Sequence, residues 1–97
     1  MRIDTIFECL YEFHQQNEGT LKNLNGCTVM DICESTGYAR TAVSEDLSRL
    51  TARHQVIKVK SRPVLFFARS VLEKSFFFSP QKDEYASINE LESEIRH

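Results

Sequence analysis

Apolar side chains recur at three- and four-residue steps from the start of the chain: Ile3, Ile6, Phe7, Leu10, Tyr11, then Phe13 with His14 beside it. That spacing predicts an amphipathic helix over about 3–16. The pattern dissolves in NEGTLKNLNG, where Gly19, Asn23, Asn25 and Gly26 interrupt any period. Thr28 then stands where an N-cap belongs, and Asp31 three residues on completes a capping box. A short helix over about 29–36 is expected to bury Val29, Ile32 and Cys33, with Gly37 as the left-handed residue that ends it. A third helix over about 40–53 carries Val43, Leu47 and Leu50 on its inner stripe. Two short helices around a tight glycine turn make a helix-turn-helix unit.

From Val56 the helical period gives way to branched and aromatic residues. Val56, Ile57 and Val59, then Val64 to Phe67, predict two strands over about 56–60 and 64–68, joined by Ser61-Arg62-Pro63. Pro63 has no N–H to donate, so it belongs at a strand start or edge. Ser70-Val71-Leu72-Glu73 has the form of a capping box and predicts a fourth helix over about 71–78, stopped by Pro80. From Gln81 the chain turns polar. Residues 80–97 are expected to form a polar tail or linker after a folded unit of 1–79, with SINELESEI able to form a short helix on its own. The expected fold class is mainly α with a small β-hairpin: a helix-turn-helix followed at once by a hairpin is a winged helix.

Composition narrows the function. With 97 residues, 41% of them hydrophobic and 27% charged, the chain is neither collagen-like nor a low-complexity disordered segment. No apolar run approaches the roughly 18–20 residues needed to cross a bilayer, so no membrane partner is expected. Asp4, Glu8 and Glu12 inside the first apolar stretch exclude a secretory signal. Cys9, Cys27 and Cys33 form no CxxC pair, which argues against a disulfide framework and for a reducing, cytoplasmic setting. Cys27 and Cys33 lack a paired ligand motif, so neither a metal nor another cofactor is expected. No GxSxG, Walker A or glycine-rich dinucleotide loop is present, and a binding protein rather than an enzyme is expected.

The net charge of −2 hides an uneven distribution. Residues 1–39 hold two basic and six acidic side chains, and residues 63–97 carry a balance of −2. Between them, residues 40–62 hold Arg40, Arg49, Arg53, Lys58, Lys60 and Arg62 against only Glu45 and Asp46. A basic island between acidic flanks suits a polyanion-binding face on one side of a domain; its bland alternative is an ordinary solvated surface.

With Val43, Leu47 and Leu50 inward, the third helix turns Arg40, Thr41, Ser44, Glu45 and Ser48 outward. Short hydroxyls and an arginine near a helix N-terminus suit a major groove, where arginine can fork onto guanine and hydroxyls can bond phosphates or base edges. Arg49 lies better for backbone phosphates. Lys58, Lys60 and Arg62 stand at alternate hairpin positions and so project to one face. Glu45 repels phosphate unless it accepts from a cytosine amino group, and Asp46 weakens the basic character further. The partner these residues suit is double-stranded DNA. Helix 1 and residues 70–78, with Phe76-Phe77-Phe78, are the expected surfaces for a homo-oligomer. A winged helix used as a protein-interaction module is the alternative, and a metal-sensing switch built on Cys27, Cys33 and His54 is a third reading.

The stretch TVMDICESTGYARTAVSEDLSRLTARHQVIKVKSRPVLFF resembles the N-terminal winged helix of sigma-54-dependent transcriptional activators of the levulose-operon regulator type. The resemblance covers about 28–74: a T-x-x-[DE]-I start, a glycine turn, a helix R-T-A-V-S-x-D-L-x-x-L, and an I-K-V-K…R-P-V wing. It implies that Arg40, Thr41, Ser44, Arg49 and Arg62 face DNA. It also implies a longer regulator, in which an AAA+ ATPase and phosphotransferase-system regulatory domains lie outside this chain, along with any contact to sigma-54 RNA polymerase. Two positions depart from the pattern: Ala39 stands at the N-cap where serine is usual, and Ser61 where glycine commonly precedes R-P.

Overall fold

The computed structural model describes residues 1–16 and 26–96, so the loop expected around Gly19, Asn23 and Asn25 lies outside the described residues. Three helices come first: α1 (Arg2–Gln16), α2 (Val29–Thr36) and α3 (Arg40–Ala52). The local signals that define them are present as atoms. Thr28 Oγ1 accepts from the Asp31 N–H at 3.2 Å, and Asp31 Oδ2 accepts from the Thr28 N–H at 2.9 Å. Gly37 follows α2 at φ 78°, a conformation that costs glycine little, and donates to the Cys33 carbonyl at 2.8 Å. Val43, Leu47 and Leu50 of α3 are buried, as the inner stripe requires.

The strands β1 (Val56–Val59) and β2 (Leu65–Ala68) pair antiparallel, with Val56 opposite Ala68 and Val59 opposite Leu65. On the far edge of β2, Cys27 and Phe66 exchange both backbone hydrogen bonds, at 3.0 and 2.8 Å. This bridge ties the chain entering α2 to the hairpin. It brings Gly26 against β2 so closely that a Cβ there would lie 2.9 Å from both the Phe66 carbonyl oxygen and the Phe67 ring.

Beyond the hairpin the structure departs from the sequence-based expectation. The fourth helix, α4 (Arg69–Phe76), begins two residues earlier than the Ser70 capping box predicts, with Ala68 as its N-cap and no side-chain cap. Pairing sets the boundary: the Arg69 N–H donates to the Gln55 carbonyl at 3.0 Å, and the chain turns into helix at once. Nor does Pro80 stop it. The helix ends at Phe76, with Phe77 in the left-handed region at φ 51°.

Residues 80–96 do not trail off as a polar tail. β3 (Glu84–Tyr85) pairs parallel to β1, Lys58 opposite Glu84, giving a three-stranded sheet of order β2-β1-β3. Helix α5 (Ile88–Ile95) follows, capped by Ser87 Oγ. The reason is the sheet's second face. Successive strand residues point to opposite sides, so Val56, Phe66 and Ala68 join the core of α1, α2 and α3, while Ile57, Val59 and Phe67 face the other way. That second face needs a cover, and Leu72 of α4, Tyr85 and Leu91 of α5 provide it, each at most 1% exposed. Among the described residues, the fold is mainly α with a small β component, compatible with a winged helix.

Candidate nucleic-acid interface

Position 40 opens α3, and positions 44 and 48 follow at one-turn intervals, so Arg40, Ser44 and Ser48 form a straight stripe about 12 Å long. The hairpin packs alongside. Between helix and hairpin runs an open cleft of about 530 Å³, closed at one end by Thr28, Val29 and Met30 at the start of α2. Arg40, Ser44 and Ser48 line its helical wall; Lys58, Pro63, Val64 and Phe66 line the hairpin wall. Among the described residues, no carboxylate lines this cleft. Neither Arg40 nor Lys58 makes a side-chain hydrogen bond or ion pair with a described residue.

The other expected contact residues are distributed differently. Thr41 is exposed on α3 outside the cleft, and Arg62 is exposed at the hairpin turn. Lys60 leans to β3, with Nζ 3.6 Å from Glu84 Oε1. Glu45 and Arg49 belong to a charge cluster on the opposite flank of α3. At its centre Asp46 is 1% exposed; it accepts from Arg2 Nε at 2.7 Å, from the Arg2 terminal nitrogen at 3.2 Å, and from Arg49 at 3.0 Å. Glu45 lies 3.9 Å from Arg2. Hydrogen bonding to Arg2, with the charges of Arg2 and Arg49, holds the Asp46 carboxyl below the usual aspartate range.

Asp46 therefore does not dilute the basic surface as the sequence suggests. Its charge is turned inward and matched by two arginines, one from α1 and one a turn along α3. The same arrangement commits Arg49 to a carboxylate. Position 46 lies three residues after Val43 and four before Leu50, so its inward placement is legible in the helical period. Its partner Arg2, 44 residues away, is not.

Two cleft residues escaped the charge-based reading because they are apolar. Met30 is 47% exposed and Val64 36%, and both stand on the cleft rather than in the core. The signal for Met30 is available in hindsight: it sits off the Val29–Ile32–Cys33 stripe of α2, on the solvent side. At the far end a smaller hollow shares Ser48 and Lys58 but is lined by Asp83 and Glu84. The uncharged and cationic surface ends there.

The histidines and cysteines take other roles. His54 occupies the left-handed position after α3, φ 64°, and its Nδ1 lies 2.8 Å from Asp83 Oδ2. Asp83 also pairs with Arg69, whose guanidinium donates to the Pro80 and Lys82 carbonyls at 3.1 Å. Cys27 is buried, and burial pushes its thiol far above the ordinary value. Among the described residues no cluster of histidine, cysteine and carboxylate side chains could hold a metal ion, and no helix is long and apolar enough to cross a membrane.

No protein-family model matches the chain, and no solved structure matches it significantly. A sequence relative does exist. Over 76 residues, 77% of this chain, the sequence is 33% identical to the transcriptional regulatory protein LevR of Bacillus subtilis (strain 168). The match spans 8% of that protein's length. The chain is thus related to a small part of a much longer transcriptional regulator.

Proposed function

We propose that this domain binds double-stranded DNA as the sequence-reading part of a bacterial transcriptional regulator. Helix α3 enters the major groove, and the hairpin acts as a wing on the flanking backbone or minor groove. The observation that carries this reading is the cleft: Arg40, Ser44, Ser48 and Lys58 are gathered on facing walls with no carboxylate among the described residues between them. Phosphates and base edges need cations and small hydroxyl donors in that kind of setting. The role is one of binding, without a cofactor, in the cytoplasm. By its resemblance the domain is the N-terminal head of a sigma-54-dependent activator of the levulose-operon regulator type, whose ATPase and polymerase contacts lie outside this chain.

Fluorescence anisotropy with a random-sequence duplex tests the reading. Arg40, Lys58 and Arg62 have no ion-pair partner among the described residues. Counting all three as phosphate contacts gives a slope of log affinity against log salt of at most about −2.7, so binding falls by up to roughly fortyfold between about 50 and 200 mM salt. Arg62→Ala is expected to reduce the slope by about one, and Arg40→Ala to weaken binding and relax sequence preference. Salt-independent binding, or two variants that bind like the parent, would sink the DNA reading.

One observation favours a second surface. Phe77 is 93% exposed and holds a left-handed backbone, while Phe76 and Phe78 pack on the second core. An apolar ring so placed suits contact between copies of the chain through residues 70–78, with α1 the other expected surface. Pairing of copies would bring two half-sites under one regulator. Light scattering over a concentration series decides it; a monomer at every concentration removes the pairing.

A further inference from the structure

The cleft has two unlike walls. The α3 wall carries Arg40, Ser44 and Ser48; the facing wall is apolar apart from Lys58, with Pro63, Val64 and Phe66, and Met30 closes one end. Its helical stripe, about 12 Å long, can reach two or three successive phosphates of a single DNA strand. A volume of about 530 Å³ has room for a short stretch of one strand rather than for a duplex. Four large hydrophobic residues are exposed among the described residues, and two of them, Met30 and Val64, stand on this cleft. Phosphate oxygens need donors, whereas the C2′ side of a deoxyribose offers only C–H groups.

We infer that the cleft seats one sugar–phosphate strand of the bound duplex. Ser44, Ser48 and Lys58 hold the phosphates, Arg40 reaches from the same wall toward base edges, and Met30, Pro63 and Val64 pack on the deoxyribose rings. This rests on the DNA reading above and goes beyond it, because it makes the apolar wall a sensor of the missing 2′-hydroxyl. A ribose there buries a hydroxyl against methionine, proline and valine without a partner, and an unsatisfied buried hydroxyl is unfavourable by enough to weaken binding roughly fivefold or more. Beyond Ser48 the hollow of Asp83 and Glu84, whose carboxylates are engaged by Arg69 and Lys60, offers the next phosphate no cation besides Lys58 and sets where the strand leaves.

The experiment compares three duplexes of one sequence by fluorescence anisotropy: all-DNA, DNA with a ribonucleotide at every second position of both strands, and DNA with 2′-fluoro sugars at those same positions. The fluoro sugar shares the ribose pucker but lacks the hydroxyl donor, so it separates hydroxyl from shape. The parent is expected to bind the ribose duplex about fivefold more weakly than the fluoro duplex. Met30→Ser combined with Val64→Ser supplies partners and is expected to close that gap. Both positions are partly exposed, and circular dichroism checks that the variant folds. Equal binding of ribose and fluoro duplexes by the parent, or a gap unchanged in the variant, overturns the inference while leaving DNA binding intact. Failure to bind any of the three duplexes overturns the DNA reading itself.

Discussion

His14 shows how a single residue couples the fold to pH. Its side chain is buried, its Nε2 has no hydrogen-bond partner among the described residues, and its ring stacks on Phe67 at 5.7 Å and meets Phe13 edge-on. Burial disfavours the charged imidazolium and lowers its pKa from 6.5 to about 4. The folded state thus binds a proton less readily than the unfolded chain. Stability is full above about pH 6.5 and declines as pH falls toward 4, by about 3 kcal/mol. Asp46 adds a second limb. Its carboxyl is held below the ordinary value of 3.8, so its contribution is complete above that value and is lost only at lower pH. Urea denaturation at successive pH values is expected to show the first limb, and His14→Leu to flatten it between pH 6.5 and 4 while leaving the second. A parent flat across that window contradicts the account. The sequence places His14 at a helix end but is silent on its cover, because Phe67 lies 53 residues downstream.

At the scale of elements, legibility follows the distance over which each signal acts. The start of α2 and the glycine that ends it are written within a few residues, and the stripe of α3 within three turns; all are readable. The start of α4 is not, because the pairing of Arg69 with Gln55 and the anchoring of its guanidinium by Pro80, Lys82 and Asp83 are long-range. These override a locally plausible Ser70 cap. Helix α3 carries a local defect that is equally legible. Ala39 has the extended backbone of an N-cap, φ −66° and ψ 147°, yet makes no side-chain cap, leaving first-turn N–H groups without that acceptor. Ala39 is exposed, so a serine fits without repacking. Ala39→Ser is expected to stabilise the domain by about 1 kcal/mol, seen as a rise in Tm of roughly 4–8 °C. An unchanged Tm would mean that those N–H groups are already satisfied by water.

For the molecule as a whole, the boundary that polarity suggests at residue 79 cuts through the second core. The candidate cleft is legible in outline, since the basic island at 40–62 contains both of its cations. Its limit is not, because the carboxylates beyond Ser48 come from Asp83 and Glu84, in a stretch that reads as a tail. Folding brings that stretch onto β1 because Ile57 and Val59 would otherwise lose their cover, and Tyr85, fixed by its hydroxyl donating to Glu94 at 2.7 Å, fills the gap with Leu91. Removing residues 80–97 uncovers this face. Losing the burial of Tyr85 and Leu91 alone removes about 3–6 kcal/mol, a large share of the 5–15 kcal/mol typical of a domain. A chain ending at residue 79 is expected to melt well below the full chain, with a broadened transition by circular dichroism. Its cleft-lining residues all precede the cut, and the carboxylates of the neighbouring hollow are gone. At low temperature, the fraction that remains folded is expected to bind duplex DNA at least as tightly as the full chain, because Lys58 and Lys60 no longer face Glu84. A truncated chain as stable as the full one would show that β3 and α5 lend the sheet nothing, and weaker binding per folded molecule would show that the acidic end of the cleft supports the strand rather than limits it.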